Sequence, residues 1–106
     1  MSVRVERGET RAVVSLVGDQ DISTSHEVRR SLAAVRSVPL VVVELADCTF
    51  MDSTVLGVLA SASRRVAEAG GRLVATNAQG IVAKALRITG VDDLLDLTGT
   101  PRGASK

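Results

Sequence analysis

The sequence predicts one α/β domain, a mixed sheet of about four to five strands packed with about four helices, and three observations predict it. Leu40-Val41-Val42-Val43-Glu44-Leu45 is nearly continuous in apolar residues and reads as a central strand of the sort covered on both faces in a parallel sheet. An apolar stripe at helical spacing follows it, and then a second short run, Arg72 to Ala75. Together they make a strand-helix-strand unit with parallel strands and a right-handed crossover. Ahead of that unit, two valine-rich stretches flank the turn-forming pair Gly8-Glu9 and predict a hairpin, which makes the sheet mixed.

The elements follow in order. Val3 to Glu6 and Ala12 to Val17 are the hairpin strands. Ser25 to Arg36 places Val28, Leu32 and Val35 at steps of four and three on one stripe of a helix, with Ser23, Thr24 or Ser25 as its cap. Pro39 ends that element. After the central strand and a loop from Ala46 to Asp52, a second helix from about Ser53 to Ala69 aligns Leu56, Leu59, Ser63 and Val66, widened by Val55 and Ala62. Gly70-Gly71 stops it. A third helix from about Gln79 to Thr89 offers Ile81, Val82, Ala85, Leu86 and Ile88 to the core and ends at Gly90. Val91, Leu94, Leu95 and Leu97 supply a last short apolar element, and 100–106 reads as a frayed tail, so the single domain has its core over about residues 3–97.

Composition narrows the function classes. At 106 residues, 45% hydrophobic and 24% charged, the chain is long enough for one modest core and too apolar for disorder. Phe50 is the only aromatic residue and the net charge is +1, which together disfavour nucleic-acid binding by stacking or by charge. A lone cysteine, Cys48, fits a reducing compartment and reads as a quiet core thiol. The N-terminus lacks the apolar stretch of a signal peptide, and no run approaches the roughly 20 apolar residues that span a bilayer. The expectation is a cytoplasmic protein with no membrane contact, and a monomer, since one core accounts for the apolar residues.

The enzymatic inventory is thin. There is no Walker loop, dinucleotide glycine fingerprint, paired-Cys metal motif or Gly-x-Ser-x-Gly elbow. A hydrolase triad of Ser53, His26 and Asp52 is the one catalytic arrangement on offer. Adjacent Asp52 and Ser53 project differently from the backbone and no oxyanion hole is signalled, so the chain is read as no enzyme, with no metal and no cofactor of its own.

The informative stretch is Phe50-Met51-Asp52-Ser53-Thr54-Val55-Leu56-Gly57-Val58-Leu59, which leads from the central strand's carboxyl end into a helix. Sites collect at that end of parallel strands, because the helix N-termini there present free N–H groups and a favourable dipole to anions. On spacing alone, Asp52, Ser53 or Thr54 is a helix cap. Gly18-Asp19-Gln20-Asp21-Ile22, an acidic loop that also follows an apolar strand, adds carboxylates that a simple turn does not need.

From Val3 to Leu97 these segments resemble the STAS domain, and within it the bacterial anti-sigma factor antagonists, which carry a Gly-Glu-Leu-Asp-like loop and an Asp-Ser-Ser-Gly-Leu-Gly-like motif at the second helix. The Asp52-Ser53 pair, Leu56-Gly57, the Gly70-Gly71 break and the short strand before Asn77 carry the resemblance. It implies partner switching: the unmodified antagonist binds an anti-sigma factor that is also a serine kinase, and phosphorylation ends the binding. Ser53 would be the phosphoacceptor, with Asp52, Thr54, Asp19 and Asp21 as its partner-binding neighbours. A separate serine phosphatase would restore the active form, and the ATP belongs to the kinase. Three positions depart from the family pattern. Val55 stands where Gly is frequent and bears on partner recognition, Thr54 replaces the second Ser and is itself a possible acceptor, and Gln20 replaces Leu and predicts looser packing of the acidic loop. The alternative is an unphosphorylated STAS scaffold or small-ligand binding subunit of a larger signalling or lipid-transport assembly, with Ser53 a plain cap.

Overall fold

In the computed structural model, which describes residues 2–88 and the backbone of 96–98, the strand β4 (Leu40–Glu44) lies at the centre of a five-stranded sheet. β1 (Val3–Arg7) and β2 (Arg11–Leu16) form the antiparallel hairpin, closed where the Gly8 N–H donates to the Arg11 carbonyl at 2.8 Å. β4, β6 (Arg72–Thr76) and β7 (Asp96–Thr98) follow β2 in parallel, giving the order β1-β2-β4-β6-β7. The expected last apolar element thus ends in β7, while 89–95 and the expected tail 100–106 lie outside the described residues.

Each parallel crossover steps the sheet in the same direction. Right-handed crossovers of one direction put their helices on one face, so α1 (Ile22–Ala34), α2 (Ser53–Glu68) and α3 (Gly80–Ile88) all cover the same side. Ala12, Val14, Val41, Val43, Leu73 and Ala75 point into that side. They meet Val28 and Leu32 of α1, Val55, Leu59 and Val66 of α2, and Val82 and Leu86 of α3 in one aliphatic core. This corrects the reading of β4 as covered on both faces. On its other side Val42 lies between Val13 and Val74 in a shallow depression with Arg11 and Arg72 at one end and Glu44 at the other. Val42 is still only 8% exposed, because flanking strands shield it, and that in-plane shielding is why the run looks uniformly apolar.

Several element boundaries also differ from the sequence reading. α1 starts at Ile22, not Ser25, because Asp21 is its N-cap: the Asp21 carboxylate accepts from the Ser23 N–H at 2.9 Å, and Thr24 completes a capping box. The expected loop from Ala46 to Asp52 contains a strand, β5 (Cys48–Met51), paired in parallel with β3 (Gly18–Gln20). In α3 only Val82 and Leu86 are buried, while Ile81 and Ile88 are exposed and do not join the core. α2 ends as expected at Gly70-Gly71. Gly70 takes φ 89° and donates to the Ala67 carbonyl, and the Gly71 N–H donates to Val66, both at 2.9 Å.

Candidate functional site

β3 and β5 bring the two polar segments side by side. Asp19 is in register with Phe50 and Gln20 with Met51, and the Asp52 N–H donates to the Gln20 carbonyl at 3.1 Å. The segment read as an acidic loop is therefore a short strand followed by a helix cap. Because β3 leads into α1 and β5 into α2, both helix N-termini open at one end of the molecule.

The carboxylates do different work there. Asp52 is the N-cap of α2: its Oδ1 accepts from the Val55 N–H at 3.1 Å, and its carbonyl accepts from the Leu56 N–H at 3.0 Å. With the cap filled by Asp52, Ser53 occupies the first helical position and is exposed, so it is not the cap. Thr54 follows, half-buried. Asp21 caps α1, and its carboxyl is held below the ordinary value of 3.8, first by the Ser23 hydroxyl at 2.6 Å and then by the Ser23 N–H. Asp19 is exposed and accepts from the Thr49 hydroxyl at 2.6 Å. Thus Ser53 and Asp19 face solvent, whereas the Asp21 carboxylate is engaged in holding α1.

Val55 and Gln20 lie inward. Val55 is fully buried in the core, so its departure from the family pattern changes the packing beneath the helix start and not the exposed surface. Gln20 is also fully buried. Its Nε2 donates to the carbonyls of Val17 at 3.0 Å and Ser2 at 3.3 Å, and its Oε1 accepts from the Thr24 hydroxyl at 3.0 Å. The looser packing expected at this position is not found, since the amide ties the N-terminus, β3 and α1 together.

His26 lies exposed on α1, and among the described residues no hydrogen bond joins it to Ser53 or Asp52. Asp52 spends its Oδ1 on a backbone N–H, so the triad is not assembled. No group of three or more His, Cys, Asp and Glu residues able to hold a metal occurs among the described residues. No described helix is long and apolar enough to cross a membrane. Cys48 is buried, with its thiol pushed up by burial and its Sγ donating to the Phe50 carbonyl at 3.4 Å.

The sequence reading missed the apolar residues at this same end. Ile22, the first residue of α1, is 73% exposed, Ile81 near the start of α3 is 58% exposed, and Phe50 at the end of β5 is 38% exposed. Helical spacing carried a signal for Ile22: six residues before Val28 at about 100° each places it about 120° off the buried stripe.

A mixed sheet accompanied by a second small strand pair, with helices on one face and an Asp-Ser helix start beside the Asp19 strand, is the arrangement of a STAS domain. The chain belongs to that family: the family model described as "Mlab, STAS domain" matches residues 3–96. Among individual proteins, the chain is 29% identical over 105 residues to the anti-sigma-B factor antagonist of Bacillus subtilis (strain 168), covering 97% of this chain and 95% of that protein. The crystal structure of an anti-sigma factor antagonist from Mycobacterium paratuberculosis superposes with a TM-score of 0.82 at 25% identity, over 97% of this chain and 89% of that one. The antagonist SpoIIAA shares the fold in its unphosphorylated form, with TM-score 0.80, 20% identity, and 97% and 92% of the two chains covered. It shares it also in its phosphorylated form, at 0.73, 19%, 97% and 96%.

Proposed function

We propose that this protein is an anti-sigma factor antagonist that binds a serine-kinase anti-sigma factor and is switched off by phosphorylation of Ser53. The reading rests on one observation above the others: Asp52 caps α2 and leaves Ser53 exposed at the first helical position, beside the Asp19 strand. A hydroxyl that capped the helix would be withheld from a kinase, whereas this one is presented to it. The apolar residues Ile22, Phe50 and Ile81 at the same end give a docking partner something to bury. The alignment with a protein named as an anti-sigma-B factor antagonist covers 97% of the chain, and SpoIIAA of the same fold exists in phosphorylated and unphosphorylated forms.

The chemistry is that of a regulator. ATP and the transfer machinery belong to the kinase; this chain supplies the acceptor, and a serine phosphatase reverses the reaction in the cytoplasm. A phosphate brings about −1.5 to −2 charges to a surface that must pack against the partner. It meets Asp19 and Asp52 there, and like-charge contacts across an interface cost several kcal/mol, so docking ends. Thr54 is half-buried where Ser53 is exposed, which makes Ser53 the acceptor of the two.

The test is intact mass of the protein after incubation with ATP and candidate serine-kinase anti-sigma factors from its own cell, with Ser53→Ala in parallel. One added phosphate that disappears in the variant is the expected result. Phosphate persisting in the variant moves the site to Thr54, and no added mass with a kinase that binds the protein removes the switch. The alternative within the STAS family is an unphosphorylated scaffold or small-ligand binding subunit of a larger assembly. Under it Ser53→Asp and Ser53→Ala bind the partner equally, whereas the switch predicts that only Ser53→Asp loses binding.

A further inference from the structure

A groove of about 200 Å³ runs along the seam between α1 and α2. From one side Arg29, Ala33 and Arg36 line it at steps of four and three. From the other Gly57, Ser61 and Arg65 line it at steps of four. Its floor is apolar, formed by Leu32, Val58 and Ala62. Small side chains at the seam keep it open.

Two features of the groove work against the fold's own stability. Three arginines line it and no acidic side chain does; like charges gathered without a counter-charge in the lining repel one another. The second feature is Gly57. Glycine is among the poorest helix formers, yet this one sits inside a sixteen-residue helix. A Cβ built on it meets nothing within 4 Å, so neither packing nor backbone conformation calls for glycine there. What a missing side chain provides is close approach by something outside the chain.

We infer that the α1–α2 groove is a docking site for an acidic amphipathic helix of a protein partner, with small apolar residues against Val58 and Gly57 and carboxylates at Arg29, Arg36 and Arg65. Arg29 and Arg36 stand about 10 Å apart along α1 and its closing turn, at 1.5 Å per residue. That spacing matches successive carboxylates along a helix better than one compact anion. The mixed lining, apolar below and cationic at the rim, matches an amphipathic segment in the same way. Ser53 lies one turn before Gly57 on α2, so the groove adjoins the proposed phosphorylation site without including it. The inference does not depend on phosphorylation.

The test uses the full chain, isotope-labelled, titrated with a synthetic helix of about 15 residues carrying Leu and Ala on one face and Glu at i, i+3 and i+7 beside them. Amide shifts confined to 29–36 and 57–65 are expected, and the same peptide with Gln for Glu should bind at least about tenfold more weakly. Arg36→Glu/Arg65→Glu should abolish the shifts while leaving the fold's spectrum intact. Gly57→Gln should raise the melting temperature, since it improves the helix, and yet lose binding, which separates a blocked groove from a damaged fold. Absence of groove shifts with the Glu peptide, equal binding by the Gln peptide, or the same shifts with inorganic phosphate alone would each overturn the inference.

Discussion

Gln20 holds three chain segments with one side-chain amide, and nothing in its sequence neighbourhood announces that. Replacing it with Leu removes the donors to the Val17 and Ser2 carbonyls and the acceptor of the Thr24 hydroxyl. The Ser2 carbonyl keeps the Val17 N–H at 2.8 Å and the Thr24 hydroxyl keeps the Asp21 carbonyl at 3.1 Å. The loss is therefore that of the amide's own bonds, about 0.5–1.5 kcal/mol each net, and the added apolar side chain offsets part of it. Gln20→Leu is therefore expected to lower stability by about 1–2 kcal/mol, read from the urea midpoint; a variant as stable as the parent would mean that the amide is dispensable. Asp21 allows a pH test. Its carboxyl lies below the ordinary range in the folded chain because the Ser23 hydroxyl and N–H donate to it. A folded value lowered in this way stabilises the protein above the unfolded carboxyl's pKa, and the contribution is lost as pH falls through the folded one. Asp21→Ala should thus be less stable than the parent at neutral pH, and the gap between their urea midpoints should close as the solution is acidified below about pH 4. A gap of the same size at both ends would show that the carboxylate's charge contributes nothing.

At the scale of elements, the helices and the long strands were legible because apolar spacing reports burial directly. Val28, Leu32 and Val35 are buried as the stripe required, and so are Leu56, Leu59, Ser63 and Val66. What was not legible is short or depends on a neighbour. β3 and β5 span three and four residues, too few for a period to register, and they exist through pairing with each other. For the same reason the residues alone present the Asp19 segment and Ser53 as separate motifs; the resemblance to the STAS domain implies that they share a surface, and the β3–β5 pair is what brings them together. Ile81 and Ile88 depart from the expectation because hydrophobicity alone carries no angle: they lie about 100° and 200° away from the buried Val82 and Leu86 on the helix. The end of α2 carries its own prediction. A Cβ on Gly71 would sit 2.8 Å from the Pro39 carbonyl and 3.1 Å from that of Val38, both backbone atoms held by neighbouring structure, since the Arg72 N–H donates to the Pro39 carbonyl at 2.9 Å. Gly71→Ala should cost about 1–3 kcal/mol, a fall of several degrees in melting temperature, and an unchanged melting point would show that the turn relaxes freely. At the other end of α2, Asp52→Ala should lose about 1 kcal/mol with the cap, whereas Asp52→Asn keeps a capping oxygen and should melt near the parent. That pair of variants separates the cap from the charge beside Ser53.

For the molecule as a whole, the question is whether a phosphate on Ser53 acts locally or through the fold. The first turns of α2 are anchored from below by Val55, Leu56 and Leu59, all buried in a core that also takes in β4, β6 and α1. Each such side chain contributes about 1.5–3 kcal/mol by burial. Against that, a phosphate at an exposed helix N-terminus gains about 0.3–1 kcal/mol from the dipole, and the Asp19 and Asp52 charges oppose it through water and salt. The perturbation is smaller than the anchorage, so the helix start stays seated and the sheet does not rearrange. Phosphorylated protein is expected to melt within about 8 °C of the unmodified form, the shift that about 1 kcal/mol produces in a domain of this size. Its amide shifts should be confined to residues near Ser53, Asp19 and the start of α2. Shifts reaching β1 or the far ends of β4 and β6 would refute a local switch and require a second packing of the core, with loss of partner binding following from that rearrangement instead of from charge at the interface.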